Sequence, residues 1–318
     1  MHSTTCLRTL TAVFALLLLA TVSISARAQD AAMVEKVKAS LPETAREAPA
    51  SPRRLLVFNL CRGFVHGSIP LGAETIRLMG EQTGAYEAVL SDDIAMFEPE
   101  TLAQFDAVVM NNSTGALFSN PDYEKLTQEE QQAAREREAA LKQSLLDFVR
   151  GGKGIIGIHA ATDSFYEWAE YGEMMGGYFD GHPWGAGDTV TVKIDDPDHP
   201  LCAAFGGEGF AIKDEIYQFR APYSRESLRV LLSIDTAKTD MTKGGIKRTD
   251  GDFAIAWVRS YGEGRAFYCS LGHNESVFWN PKVLQHYLDG IQFALGDLPA
   301  DTAPSAQGAG EQEGSQTE

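Results

Sequence analysis

Four short apolar runs, set apart by stretches of helical character, constrain this chain most. They are "RRLLVFNL" (53–60), "AYEAVLSDD" (85–93), "FDAVVMNNS" (105–113) and "GIIGIHA" (154–160). Each is short enough for a strand, and each is bounded by charged, polar or glycine residues. Strands buried on both faces read as near-continuous apolar runs, and that is the habit of parallel sheets. Between the first two lies "SIPLGAETIRLMGEQTG", where Ile69, Ala73, Ile76 and Leu78/Met79 recur at helical spacing and Gly84 marks a stop. "SDDIAMFEPETLAQF" can supply a short second helix. A charged helix is expected over 122–150, with Leu141, Leu145, Phe148 and Val149 on its apolar face and Gly151-Gly152 at its end. The alternation predicts an α/β fold, a mostly parallel sheet with helices on both faces.

After Trp184 the pattern changes. "DTVTVKID" alternates like a half-exposed strand, and "EGFAIKDEIYQF", "LRVLLSID" and "FAIAWVRSYGEGRAFYCSL" follow before a closing helix in "NPKVLQHYLDGIQFALG". "VRSYGEGRAF" is a hairpin signal with glycine in the turn. The second half therefore adds antiparallel strands to the first sheet, and one continuous domain is expected.

The two ends read differently. Residues 1–28 resemble an export signal: Arg8, an apolar run from Ala12 to Ala20, and the small-x-small pattern Ala26-Arg27-Ala28. The apolar run is short for a membrane span, which needs about 20 residues. Export to the periplasm or medium is thus expected, with no stable membrane insertion after cleavage. Residues 29–52 read as a linker or loose helix and 53–298 as the folded domain. Residues 299–318 lack bulky apolar residues and read as a disordered tail. A net charge of −17 repels phosphate backbones, so nucleic acid is not an expected partner. Self-association into a homo-oligomer stays open. Three cysteines remain beyond the signal, Cys61, Cys202 and Cys269. They do not make a disulfide scaffold, and buried free thiols are expected.

In open parallel sheets, ligands bind beyond the carboxyl ends of the strands. The loops there carry His66, Asn111 and Asn112, His159 with Asp163, and His273, and His182 joins them if the Gly181–Trp184 turn folds back. Imidazole titrates near neutral pH and also ligates zinc or similar divalent metals. Asp163 or Glu215 could complete either arrangement. No spacing is a metal signature: HExxH and paired CxxC are missing, and no GxGxxG follows the first strand. A purely structural reading stands beside each residue. His159 could bond a neighbouring loop, the asparagines could cap a turn, Asp163 could cap a helix, and Trp168, Tyr171, Tyr178 and Phe179 could be core. Asp214 and Glu215 could be exposed charges, although alternation puts Glu215 and Tyr217 on one face. His199 and His286 read as structural. In Gly157-Ile158-His159-Ala160-Ala161, histidine stands where a nucleophile elbow would carry serine or cysteine. Cys61 follows the first strand, but no feature marks it as activated.

The motifs "GFVHGSI", "FDAVVMNNSTG", "GGKGIIGIHAATDSFYEWAEYGEMMGGYFDGHPW", "DDPDHPL", "IKDEIYQF" and "GEGRAFYCSLGHNESVF" resemble, in order, the ThuA-like (trehalose utilisation) family. That family lies within the class I glutamine amidotransferase-like superfamily. The resemblance implies a flavodoxin-like sheet without the amidotransferase cysteine, and a link to carbohydrate metabolism, of 3-keto sugars or glycosides. It places the family's polar signature on His66, His159, Asp163, His182, Glu215 and His273. One departure is visible: where relatives often carry His-Pro, this chain has Asp252 and Phe253. The expectation is an exported enzyme, a hydrolase, lyase or isomerase, acting on a small-molecule carbohydrate by acid–base chemistry. His159, Asp163 and Glu215 are its catalytic candidates. His66, Asn111, Asn112, Trp168, Tyr171, His182, Trp184 and His273 are its substrate-binding candidates. His66, His159, His182 and His273 are the candidate ligands for a divalent metal such as zinc. The alternatives are a non-catalytic periplasmic sugar-binding or accessory module, and a cysteine hydrolase using Cys61.

Overall fold

The structure, a computed structural model, describes residues 31–304; the expected export signal and residues 305–318 of the expected tail lie outside the described residues. Residues 299–304, read as the start of that tail, instead dock on the domain, Ala300 against the core and Asp301 on Arg229. Strands β1 (Arg54–Phe58), β2 (Glu87–Ser91), β3 (Ala107–Asn111) and β4 (Gly154–Ile158) form the parallel half of a nine-stranded sheet. β6 (Thr189–Ile194), β7 (Phe210–Lys213), β9 (Arg229–Ile234), β10 (Ala254–Tyr261) and β11 (Gly264–Cys269) complete it in the order β2-β1-β3-β4-β11-β10-β9-β6-β7. The last strand in sequence, β11, pairs parallel with β4 and antiparallel with β10. This is the expected flavodoxin-like α/β architecture, with the antiparallel strands joined to the same sheet. β5 (Tyr178–Phe179) and β8 (Phe219–Arg220) make a separate small pair.

Helices cover both faces. Against one face pack α2 (Ile69–Thr83) and α6 (Pro281–Leu295); against the other, the single turn α3 (Pro99–Leu102), the long α4 (Gln128–Arg150) and α5 (Ala169–Met175). The local signals explain the boundaries. α2 ends where Gly84 takes the left-handed conformation. α4 starts at Gln128, later than expected, because Thr127 and Glu130 close a reciprocal capping box there.

The stretch read as a linker is docked onto the domain. Helix α1 (31–38) is followed by irregular chain that ties down onto α6. The Arg46 guanidinium donates to both Asp289 oxygens, at 3.1 and 2.7 Å, and Arg53 pairs with Asp297 at 2.6 Å. Asp289 is fully buried, and removing that carboxylate from water is tolerable because a planar guanidinium meets it in a fork. Charged and alanine-rich sequence conceals such anchors, since their partners lie some 240 positions away.

His286 and His199 are structural, as expected. His286 Nδ1–H donates to the Leu201 carbonyl at 2.7 Å, and His199 caps the turn that begins at Pro200. Burial, first of all, pushes His286 down from 6.5 to about 4, and lowers His199 too. A buried imidazole of this kind is neutral when folded and charges when unfolded. Its contribution is therefore intact above pH 6.5 and is lost as pH falls towards 4. At 1.36 kcal/mol per pH unit the loss from His286 approaches about 3 kcal/mol. Denaturant unfolding at pH 7 and pH 4.5 should show a smaller drop for His286→Gln than for wild type; equal drops would remove His286 as the cause.

Candidate functional site

The carboxyl ends of β1, β3, β4 and β11 point to one edge of the sheet. Two neighbouring residues there hold left-handed backbone, Asn112 after β3 (φ 51°) and His159 after β4 (φ 47°). Non-glycine residues in this region are uncommon and cluster at functional sites. His159 is fully buried on this elbow. Its Nδ1 lies 2.6 Å from the Ser270 carbonyl. A carbonyl oxygen only accepts, so Nδ1 carries the proton. In the neutral ring Nε2 then keeps its lone pair, and that nitrogen is buried without a hydrogen-bond partner. Tyr217 packs against the ring, with centroids 4.3 Å apart and planes inclined by 35°.

Four further groups converge on that nitrogen. His66 is brought in by the loop between β1 and α2, His273 by the turn after β11, Glu215 by the segment after β7, and His182 by the turn after β5. One nitrogen or oxygen from each of His66, His159, Glu215 and His273 lies within 4.8 Å of the others. Glu215 Oε1 is 3.7 Å from His159 Nε2 and 3.2 Å from His273 Nδ1, and its Oε2 is 3.4 Å from His182 Nδ1. The His273 approach is close but off the donor axis, so Nδ1 of His273, like Nδ1 of His66, has no hydrogen-bond partner. His182 is half exposed at the mouth, and the other three imidazoles lie deeper.

The electrostatics follow from this crowding. Burial, and then the neighbouring imidazoles, push His66 down to about 3, so it is neutral at pH 7. Burial also works against the Glu215 charge, but His159 and His273 outweigh it and hold the carboxyl far below the usual range. Glu215 in turn raises His273. Such a carboxylate stays ionised and makes a poor proton donor; it suits orienting an imidazole or ligating a cation.

Other expected site residues stand apart. Asp163 caps no helix: it ends a turn that precedes α5, and burial raises its carboxyl while Tyr166 donates to it at 2.5 Å. Its oxygens lie outside the converging set. Asn111 is structural, donating to Asn59 at 2.8 Å and to the Ile69 carbonyl at 3.1 Å. Asn112 holds the strained neighbour of the elbow and keeps an unpartnered buried Oδ1. The aromatic expectations need correction. Trp168, Tyr171 and Trp184 are buried in the core. Trp168 and Tyr171 pack with Phe165; Tyr171 donates to the Ala161 carbonyl, and Trp184 donates to the Asp240 carbonyl while packing on Phe253. None has a free face for a sugar. The exposed aromatic beside the cluster is Phe64, 64% exposed, its ring edge-on to His66 at 4.8 Å. Asp214 is buried rather than exposed, and its two oxygens accept from Gly272 N–H and Asn274 N–H, each at 2.7 Å, fixing the turn that carries His273. Asp252 belongs to an ion network with Tyr223 and Arg225, and Phe253 to the core. Cys61, Cys202 and Cys269 are unpaired, and burial raises all three thiols.

A flavodoxin-like domain carrying an imidazole–carboxylate cluster on its sheet edge is the class defined here. The sequence profile of the ThuA family, described as trehalose utilisation, matches residues 54–294, and the chain belongs to that family. A ThuA-like protein from Bacteroides uniformis shares 20% identity over 80% of this chain and 94% of its own, with a TM-score of 0.57. One from Parabacteroides merdae shares 16% over 79% and 93%, with a TM-score of 0.51. At these identities the likeness speaks for the fold alone. No curated protein matches the chain.

Proposed function

We propose that this protein is an exported carbohydrate-active enzyme that cleaves or rearranges a sugar bearing a carbonyl, a 3-keto glycoside being the substrate class that fits best. The observation that carries the reading is the convergence of His66, His159, His182, Glu215 and His273 in one cluster at the strand ends. With the Glu215 carboxylate 3.4 Å from its Nδ1, half-exposed His182 offers Nε2 as a base. That nitrogen takes the proton from the carbon next to the keto group. The electron pair moves into the carbonyl, whose oxygen faces His273, the imidazole that Glu215 favours in its protonated, donating form, and then expels the glycosidic oxygen at the β carbon. The proton on His182 passes to that leaving oxygen, giving an alcohol and an unsaturated keto sugar, which water can then hydrate. Phe64 offers an apolar face for the ring. Membership of the ThuA family supports the carbohydrate link. Among the described residues no helix is long and apolar enough to cross a membrane.

The test is direct. Purified protein is incubated with 3-keto glucosides and with unmodified glycosides, and released alcohol is quantified. Release from the keto substrates, reduced at least tenfold in His182→Gln, is expected. Absence of turnover on both classes would reject the reading.

A further inference from the structure

We propose that His66, His159 and His273, with Glu215 Oε1 as fourth ligand, form a site for one zinc-class divalent cation. Three independent observations lead there. The first is spacing. The ring centroids of the three histidines stand 4.9, 5.1 and 5.4 Å apart. A zinc–nitrogen bond of about 2.0–2.1 Å puts each ring centroid about 3.2 Å from the ion, and tetrahedral angles then separate the centroids by about 5.2 Å. The triangle found here has that size without any rearrangement of the backbone.

The second is unmet bonding capacity. His66 Nδ1, His159 Nε2 and His273 Nδ1 are all buried and lack hydrogen-bond partners. One orphaned imidazole nitrogen is ordinary; three facing a common carboxylate leave lone pairs that a single cation would satisfy together. The third is outer support. A metal-bound histidine usually donates its other N–H to a carbonyl or carboxylate, which fixes tautomer and ring direction. His159 does so to the Ser270 carbonyl. Behind His273, Asp214 grips the carrying turn at Gly272 and Asn274.

The donor set selects the class of ion. Magnesium and calcium take oxygen ligands, so three imidazoles and one carboxylate disfavour them. Zinc, cobalt(II), nickel(II) and iron(II) accept such a set. Expansion to five ligands leaves room for a substrate oxygen. Ion binding stands on this geometry alone. Only the further role, polarising the carbonyl oxygen of the substrate, rests on the proposed function.

The experiment uses the full mature chain, stripped with chelator and dialysed, and titrated with zinc against a chromophoric competitor. One equivalent should bind, with at least tenfold weaker binding in His66→Gln and in His273→Gln. His286→Gln, which alters a histidine remote from the pocket, should bind as wild type does. Cobalt(II) added to wild type should give the intense visible bands of a four- or five-coordinate site, a readout that needs no variant. No binding of either metal at micromolar protein, or binding that survives both substitutions undiminished, overturns the site. Binding without turnover on any keto glycoside would leave this inference standing and remove the proposed function instead.

Discussion

Replacing His159 by asparagine is expected to lower kcat/KM on a keto-glycoside substrate by about a thousandfold while leaving the fold intact. Asparagine is the informative choice. The residue sits at φ 47°, where asparagine is tolerated better than alanine, so the loss cannot be assigned to backbone strain. The amide can still donate towards the Ser270 carbonyl, but it brings no imidazole lone pair to the point where Glu215, His66 and His273 converge. Far-UV circular dichroism and the melting temperature should stay close to wild type. A variant that folds normally and retains more than a tenth of wild-type kcat/KM would place the chemistry elsewhere in the pocket.

The largest effect on stability is expected from Gly264→Ala. A Cβ there would land inside the carbonyl oxygens of Val149 and Lys153, at the junction of α4, β4 and β11. Neither atom belongs to a side chain that could swing away, so three packed elements would have to separate. Overpacking of this kind costs at least about 3 kcal/mol, which for a domain of this size lowers the melting temperature by roughly 10 °C. Gly187→Ala is the control: nothing lies within 4 Å of its added methyl, and its backbone is open to any residue. It should be neutral or stabilising by up to about 1 kcal/mol, through the unfolded chain. A Gly264→Ala loss below 1 kcal/mol, measured by denaturant unfolding, would show that the junction is softer than its close contacts imply.

The fold was legible where the signal was local. The four apolar runs became β1 to β4, Gly84 stopped α2, and the hairpin glycine fell between β10 and β11. Legibility failed where a partner is remote. Nothing around Arg46 announces Asp289, because the two lie 243 positions apart in the sequence. The site divides in the same way. His66, His159 and His273 could be found because the strand-end rule needs only strand boundaries. Glu215 could be found because alternation in "KDEIYQF" puts it beside Tyr217, and the same alternation should have turned Asp214 inwards. The aromatic candidates failed because a tryptophan in a glycine-rich loop reads alike whether its ring faces core or solvent. Trp168 and Trp184 went inside, and Phe64, between two glycines and outside any periodic pattern, stayed out.

The proton on His159 is placed by the main chain of Ser270 and by no side chain. Every amino acid carries that same carbonyl. Drift at position 270 can therefore change what surrounds the ring without changing which nitrogen is free to act. A lineage built on this scaffold could reshape the surroundings of the ring, one substitution at a time, and keep the same nitrogen free throughout.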